Sequence, residues 1–343
     1  MKLLVTGGAG FIGSAFVRGL LEGNRAMQRE DDVEVVVLDA LTYAGNLENL
    51  AGLEGSGRLR FVRGSITDEG AVATASEGCD AIVNFAAETH VDRSLVEPGT
   101  FVETNVQGTR VLLDAARRLG VRHLQVSTDE VYGSLGAEGV FTEDSPLAPS
   151  SPYAASKAAA DLLVGAWRTS YGVDAVITRC GNNYGPRQFP EKLIPLFLAN
   201  AIEDRELPLY GNGANVRDWI HVDDHAAAIR LVLAKGESGR VYNVSAGCEL
   251  ANADLVRRLL DIVGKPWSLV RHVADRPGHD LRYALSADRL RDELGWRARV
   301  DFDEGLAATV EWYRSHGSWI DHVRSGAYRD YYEQQYGDRL RGA

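Results

Sequence analysis

A glycine run set between a β-branched stretch and an amphipathic one constrains this chain more than any other feature. Thr6-Gly7-Gly8-Ala9-Gly10-Phe11-Ile12-Gly13 follows Lys2 to Thr6, which reads as a first strand, and opens a helix from about Phe11 to Glu22. Glycines at Gly7, Gly10 and Gly13 permit a tight turn, close approach of the backbone to a pyrophosphate, and close packing of helix on strand. The N-terminus of the helix then faces the phosphates. Asp39 strengthens this reading, because it ends the second β-branched run, Glu34 to Leu38. A carboxylate there can take both hydroxyls of an adenosine ribose and would repel a 2′-phosphate, which points to NAD and away from NADP.

Behind the glycine loop, the first half alternates short β-branched runs with amphipathic stretches, the pattern of an α/β fold with a parallel sheet covered on both faces. Further strands are expected at Leu59 to Val62, Ala81 to Phe85, His123 to Ser127 and Ala175 to Thr178, with helices at Gly99 to Leu119 and Pro152 to Tyr171. Pro152 and Gly172 stand where a helix start accepts proline and a helix end favours glycine. After Arg179 the alternation breaks into turns and prolines, and helices then dominate, as in a smaller lobe covering a cleft. The run Val216 to Val222 looks like a return to the main sheet. The expected division is a nucleotide-binding domain over 1–180 with a return segment at about 216–247, and a smaller substrate lobe over 181–215 and 248–343.

At 343 residues the chain can bury a large core, and no apolar run approaches the length that crosses a bilayer. Its formal net charge of -11 argues against a nucleic-acid partner or an anionic membrane surface, although a local basic pocket is compatible with it. Cys79, Cys180 and Cys248 are odd in number and lack metal spacing, which suits reduced, core-packed thiols in a cytoplasm. The N-terminus leads directly into the glycine loop and reads as a strand, not a signal peptide.

Tyr153 and Lys157 are four apart on an expected helix and share a face. A nearby ammonium and a positive nicotinamide ring would both lower the tyrosine pKa, making a phenolate available to take a hydroxyl proton. Upstream stand Thr128-Asp129-Glu130, directly after a strand. A dehydrogenase that only moves hydride has no use for an adjacent acid and base. Removing a carbon-bound proton and expelling hydroxide needs both, one carboxyl protonated and the other ionised. The plainer alternative is that Asp129 and Glu130 cap a turn. Successive strand residues face opposite ways, so for both to reach one substrate the strand must end there.

With these residues in place, the chain resembles the extended short-chain dehydrogenase/reductases and, more narrowly, the dTDP-glucose 4,6-dehydratases. The resemblance rests on Gly7 to Gly13, Phe85 to Ser94, Thr104 to Thr109, Ser127 to Gly133, Ser151 to Lys157, Asn182 to Pro186, Glu191 to Pro195 and Asp275 to Asp280. It implies a doubly wound Rossmann sheet with a smaller, mostly helical C-terminal substrate lobe, and a homodimer built on a four-helix interface. It also implies a chemistry. Tyr153 deprotonates the sugar C4 hydroxyl with Thr128 bonding the same oxygen, Lys157 holds the nicotinamide ribose, Glu130 removes the C5 proton, and protonated Asp129 helps the C6 hydroxyl leave as water.

On the cofactor side the resemblance adds Phe11, Ile12, Ala40, Leu41, Thr42, Ser65, Ile66, Phe85, Ala86, Ala87, Thr104 and Asn183 to the residues named above. On the substrate side it implies Thr89, Asn182, Lys192, Leu193, Arg217, Asn252, Arg276 and His279, with Pro208 and Tyr210 near the base and Tyr336 returning from the C-terminal tail. Lys192, Arg217 and Arg276 would supply positive charge for a pyrophosphate. Three positions depart from the family pattern. Ser65 stands for an aspartate facing the adenine, Thr89 for a serine, and Gly181 for a larger residue, which would leave room beside Asn182.

Two other functions compete. A nucleotide-sugar 4-epimerase or decarboxylase would share the glycine loop and the Tyr-Lys pair, though epimerases of this type carry small hydroxyl residues where Asp129 and Glu130 stand. A nucleotide-sensing regulator would usually have lost the tyrosine or lysine. His221 and His225, with Asp223 and Asp224 between them, have metal-compatible spacing, yet the aspartates stand where helix caps belong and the mechanism needs no metal.

Overall fold

The computed structural model describes residues 1–276 and 278–324. Seven parallel strands form its central sheet: β1 (Lys2–Thr6), β2 (Glu34–Asp39), β3 (Leu59–Arg63), β4 (Ala81–Asn84), β5 (Arg122–Thr128), β6 (Ala175–Cys180) and β10 (Val241–Val244). Their order is β10-β6-β5-β4-β1-β2-β3, so the winding reverses between β1 and β4. Ligands of such sheets bind outside the carboxyl ends of the strands at that reversal, which places the glycine loop after β1 at the expected spot.

Both faces of the sheet are covered, as near-continuous apolar strands require. On one face Phe16, Val17 and Leu20 of the helix Phe11–Leu21 share a core with Ile229 and Val232 of the helix Val222–Lys235. On the other, Leu112 and Ala115 of the helix Gly108–Leu119 meet Val164 of the helix Pro152–Tyr171. Burying each large aliphatic side chain in these cores stabilises the fold by roughly 1.5–3 kcal/mol. Pro152–Tyr171 starts and stops as its sequence requires. The Ser151 hydroxyl accepts the Ala154 N–H at 3.1 Å, Pro152 occupies the first turn, and Gly172 closes the helix in the left-handed conformation at φ 71°.

Several elements depart from expectation. Val216 to Val222 does not return to the main sheet. β9 (Val216–His221) pairs in parallel with β7 (Asn182–Tyr184) and antiparallel with β11 (Glu249–Ala251), a separate three-stranded sheet. Val241–Val244 supplies the returning strand, pairing in parallel with β6. Both runs are short and apolar, and such a pattern says that a strand is buried without saying which sheet buries it. The expected helix Gly99 to Leu119 begins at Pro98 and carries a wider π-helical turn at Val102–Gln107. A helix at Glu69–Ser76, capped by Asp68, had no strong apolar period to announce it.

The region after Arg179 is richer in strands than its sequence suggests. Besides the three-stranded sheet, β8 (Leu207–Tyr210) pairs with β12 (Val270–Val273). Around them the helices Leu193–Ile202, Asn252–Val263 and Phe302–Ser315 close a second core, which includes Phe197, Leu259 and Tyr313.

Candidate active site

A cavity of about 370 Å³ opens along the carboxyl ends of the main strands, and a second of about 160 Å³ adjoins it under the smaller lobe. Glu130, Asn182, Glu191, Lys192, Leu193 and Trp219 line both, so Glu130 stands where the two meet.

The larger cavity begins at the glycine loop. Gly7 has φ +67°, and a Cβ added there would lie 2.6 Å from the Ala86 nitrogen, so only glycine fits. At Gly13 an added Cβ would collide with the Gly7 carbonyl oxygen. Asp39 is held by backbone: its two oxygens accept the N–H of Ala9 at 2.9 Å and of Leu41 at 2.8 Å. Burial raises its pKa against those two bonds. A cradle that only glycine backbone permits, with a buried carboxylate at its rim, fits the pyrophosphate and ribose of NAD.

Gly7, Gly10, Phe11, Ile12, Gly13, Asp39, Ala40, Thr42, Ser65, Ile66, Phe85, Ala86, Ala87, Thr104, Tyr153, Lys157 and Asn183 all line this cavity. Leu41 does not. Its side chain packs against the sheet core, and its N–H serves to orient Asp39. Ser65 faces the cavity with its hydroxyl 2.8 Å from that of Thr67. Gly181 leaves no spare room, because an added Cβ would lie 2.6 Å from the Asp218 carbonyl oxygen. Here glycine is needed for the close passage of two backbones.

At the far end of the same cavity β5 stops at Thr128, and Asp129–Tyr132 forms a single tight helical turn. This lets two successive carboxyl groups line one space. The Thr128 hydroxyl caps the turn, accepting the Glu130 N–H at 3.3 Å and donating to Asp129 Oδ1 at 3.1 Å. Asp129 Oδ2 is buried with no protein hydrogen-bond partner among the described residues. Burial, then the charge of Glu130, pushes the Asp129 carboxyl well above its ordinary range. Burial also raises Glu130, but Arg276, Lys192 and Arg217 pull it back. Burial thus disfavours charge on both carboxyls, and the three basic groups favour the ionised form of Glu130, an arrangement suited to holding a proton on Asp129.

Tyr153 and Lys157 project from the first turns of Pro152–Tyr171 and are both buried. The Lys157 ammonium donates to the Val126 carbonyl at 2.7 Å. Burial lowers its pKa, opposed by Asp161. Burial and then Glu130 raise the Tyr153 phenol well above its usual value, and the Thr128 hydroxyl works the other way. The expected lowering of the Tyr153 phenol is outweighed in the chain alone by burial and Glu130.

The smaller cavity gathers the remaining expected substrate residues, Pro208, Tyr210, Arg217, Asn252, Arg276 and His279, while Thr89 and Thr128 line the larger one. Lys192 donates to the Thr89 carbonyl at 3.0 Å, and Arg217 donates to the Asp280 carbonyl at 3.1 Å. Tyr336 lies outside the described residues. Asp92, not foreseen as a site residue, anchors this side: it pairs with Arg276 at 3.1 Å and accepts the Tyr210 hydroxyl at 2.8 Å. Burial pushes Asp92 up, but Arg276 and His90 outweigh it and hold the carboxyl below its ordinary value. Glu191 and Trp219 were also missed. Asp92 and Glu191 both lie inside sequence blocks that carry the resemblance, so the signal was present. His221 and His225 serve other ends, His221 accepting the Asp223 N–H and His225 bonding Asn183 at 2.9 Å.

Comparison with known proteins agrees with this geometry. The model of the GDP-mannose 4,6 dehydratase family matches residues 4–309. A dTDP-glucose 4,6-dehydratase of Streptomyces niveus is 53% identical over 95% of this chain and 96% of its own, and that of Shigella flexneri 46% over 99% and 100%. The solved dTDP-glucose 4,6-dehydratase of Streptomyces venezuelae, with NAD bound, is 55% identical at a TM-score of 0.90, covering 94% of this chain and 100% of that one. A UDP-glucose 4-epimerase of Thermus thermophilus in complex with NAD shares the fold at 33% identity and a TM-score of 0.83, over 92% and 100%. The matched family model bears a guanosine name, whereas relatives near half identity over almost their whole length are thymidine enzymes, and it is among these dTDP-glucose 4,6-dehydratases that the chain belongs.

Proposed function

We propose that the protein dehydrates dTDP-glucose to dTDP-4-keto-6-deoxyglucose, an early step in making deoxysugars. The observation that carries this reading is the placement of Glu130 where the two cavities meet, with the buried carboxyl of Asp129 next to it in the same turn. An epimerase site has no work for that pair.

NAD held by the glycine cradle and Asp39 would accept a hydride from the sugar and return it. The chain's own residues move the protons. Tyr153 takes the proton of the C4 hydroxyl, with Thr128 bonding the same oxygen. The resulting ketone acidifies C5, and Glu130 takes the C5 proton. Asp129 gives its proton to the C6 hydroxyl, which leaves as water, and a proton then returns to C5. Tyr153 ends one proton richer and Asp129 one poorer, so a proton must pass between them before the next turnover. Lys157 holds the nicotinamide ribose and, when charged, favours the phenolate of Tyr153.

Lys192, Arg217 and Arg276 bind the pyrophosphate, with Asn182, Leu193, Asn252 and His279 beside them and Pro208 and Tyr210 at the base. This charge lies in a pocket of an otherwise acidic protein, so it selects a small anion over a nucleic acid. Residues 1–180, the helix Val222–Lys235 and the strand Val241–Val244 would serve as the cofactor domain and the remainder as the substrate lobe. Exposed Val96, Val102 and Leu162, on or beside the helices that would form a four-helix interface, support a homodimer. A cytoplasmic location suits the free thiols of Cys79, Cys180 and Cys248. The test is to offer the purified protein dTDP-glucose, UDP-glucose and GDP-mannose separately and weigh the products. Loss of one water from the thymidine sugar alone is expected, and loss from GDP-mannose alone would move the assignment to the guanosine branch.

A further inference from the structure

Tyr153, Lys157 and Asp161 are spaced by four along Pro152–Tyr171 and so lie on successive turns of one face. Tyr153 and Lys157 line the cavity, whereas Asp161, 4% exposed, does not. It pairs instead with Arg179 of β6, Nε to Oδ2 at 2.9 Å, with both side chains buried. Arg179 then reaches further. Its Nη1 donates to the Tyr132 hydroxyl at 2.9 Å, and its guanidinium lies 4.8 Å from the centre of that ring. Tyr132 is the last residue of the turn that carries Asp129 and Glu130. Its hydroxyl donates in turn to Asn243 Oδ1 at 2.8 Å, and the Asn243 N–H donates to Glu143 at 2.8 Å. Ser127, Arg179 and Asn243 are register partners on β5, β6 and β10, so the whole chain of contacts runs along one side of the sheet.

We propose that Asp161, Arg179 and Tyr132 are positioning residues that hold the acid-base turn in register with the helix bearing Tyr153 and Lys157. This rests on the reading of Asp129 and Glu130 as acid and base. A buried ion pair is a weak source of stability, since desolvation offsets much of its attraction and apolar packing could replace it. What it adds is direction. The guanidinium fork fixes the angle between a carboxylate on the helix and a hydroxyl on the turn. The two catalytic groups of the oxidation and the two of the elimination arise from different elements, and this network joins those elements directly.

Tyr132→Phe removes only the hydroxyl and keeps the ring stacked 5.0 Å from Phe141. The NAD-loaded variant would be followed through a single turnover of dTDP-glucose in deuterated water, measuring C4 ketone and C5 deuterium separately by rapid quench. The expected result is a split: C5 exchange falls about tenfold while C4 oxidation and KM stay within about twofold, because a displaced base loses rate steeply with distance. Arg179→Lys, which keeps a charge for Asp161 but cannot also hold Tyr132 in a fork, is expected to split the steps the same way. Equal loss in both steps, or loss in neither, would overturn the positioning role. Absence of C4 ketone from the unaltered protein would instead sink the dehydratase reading beneath it.

Discussion

On the cofactor side of the cleft the backbone does most of the holding, whereas on the sugar-nucleotide side long charged side chains do it, aimed by a carboxylate or by carbonyls of other segments. The cradle at Gly7 and Gly13 exists because no Cβ fits there, and Asp39 is aimed by two main-chain N–H groups. Across the cleft, Arg276 is aimed by Asp92, and Lys192 is bonded to a carbonyl on another segment. The first arrangement is complete once β1 pairs with β2 and β4. The second needs the smaller lobe to be in place, so that side of the site depends on the packing of two cores.

The largest expected effect falls where the halves meet. Glu130→Gln should lower kcat about a thousandfold, the range of a lost general base, while C4 oxidation persists. Steady-state rates and quenched single turnovers check this, and a variant that stays fully active would remove the junction from the chemistry. Arg276→Lys keeps the charge but loses the fork, and should raise KM for the nucleotide sugar about tenfold with NAD affinity unchanged. Asp39→Ala should cost NAD affinity only about fivefold and narrow the preference over NADP, because backbone still cradles the pyrophosphate. Titration calorimetry with both dinucleotides would show it. If Asp39→Ala proved costlier than Arg276→Lys, the contrast between a backbone-built half and a side-chain-built half would fail.

The smallest effect is on stability and has a definite sign. Asp129 has its carboxyl pKa raised, chiefly by burial and next by Glu130, so the folded chain holds that proton more tightly than the unfolded one. The associated stability is present below the unfolded value and lost as pH rises through the folded value. Asp129→Asn removes the loss, so its melting temperature should exceed that of the unaltered protein by a few degrees at about pH 8 and match it near pH 4. Thermal unfolding at the two pH values measures this, and equal melting temperatures at both would mean that Asp129 is ionised at no cost.

The cofactor half was legible because its causes are local. Glycine spacing, the carboxylate ending the second strand and the four-residue step from Tyr153 to Lys157 all act within one element or one turn. The end of β5 at Thr128 also followed from a requirement on two successive carboxyls. The substrate half could be read only through blocks of resemblance, since nothing local says that Arg217 and Arg276 converge. Asp92 went unnoticed because its role is defined by Arg276, far away in sequence. Val216–His221 was assigned to the wrong sheet for a similar reason: strand character is local, but partner choice is tertiary. The Asp161–Arg179 pair was invisible because a buried ion pair looks in sequence like two surface charges.

The measurement that tests the account most directly is proton NMR of dTDP-glucose turned over by the purified protein in deuterated water, with NAD and no added reductant. The account predicts a new 6-deoxy methyl signal together with deuterium at C5, produced by one enzyme without net consumption of cofactor. Inversion at C4 with C6 untouched, or a methyl product that keeps its original C5 proton, would contradict the roles given to Asp129 and Glu130.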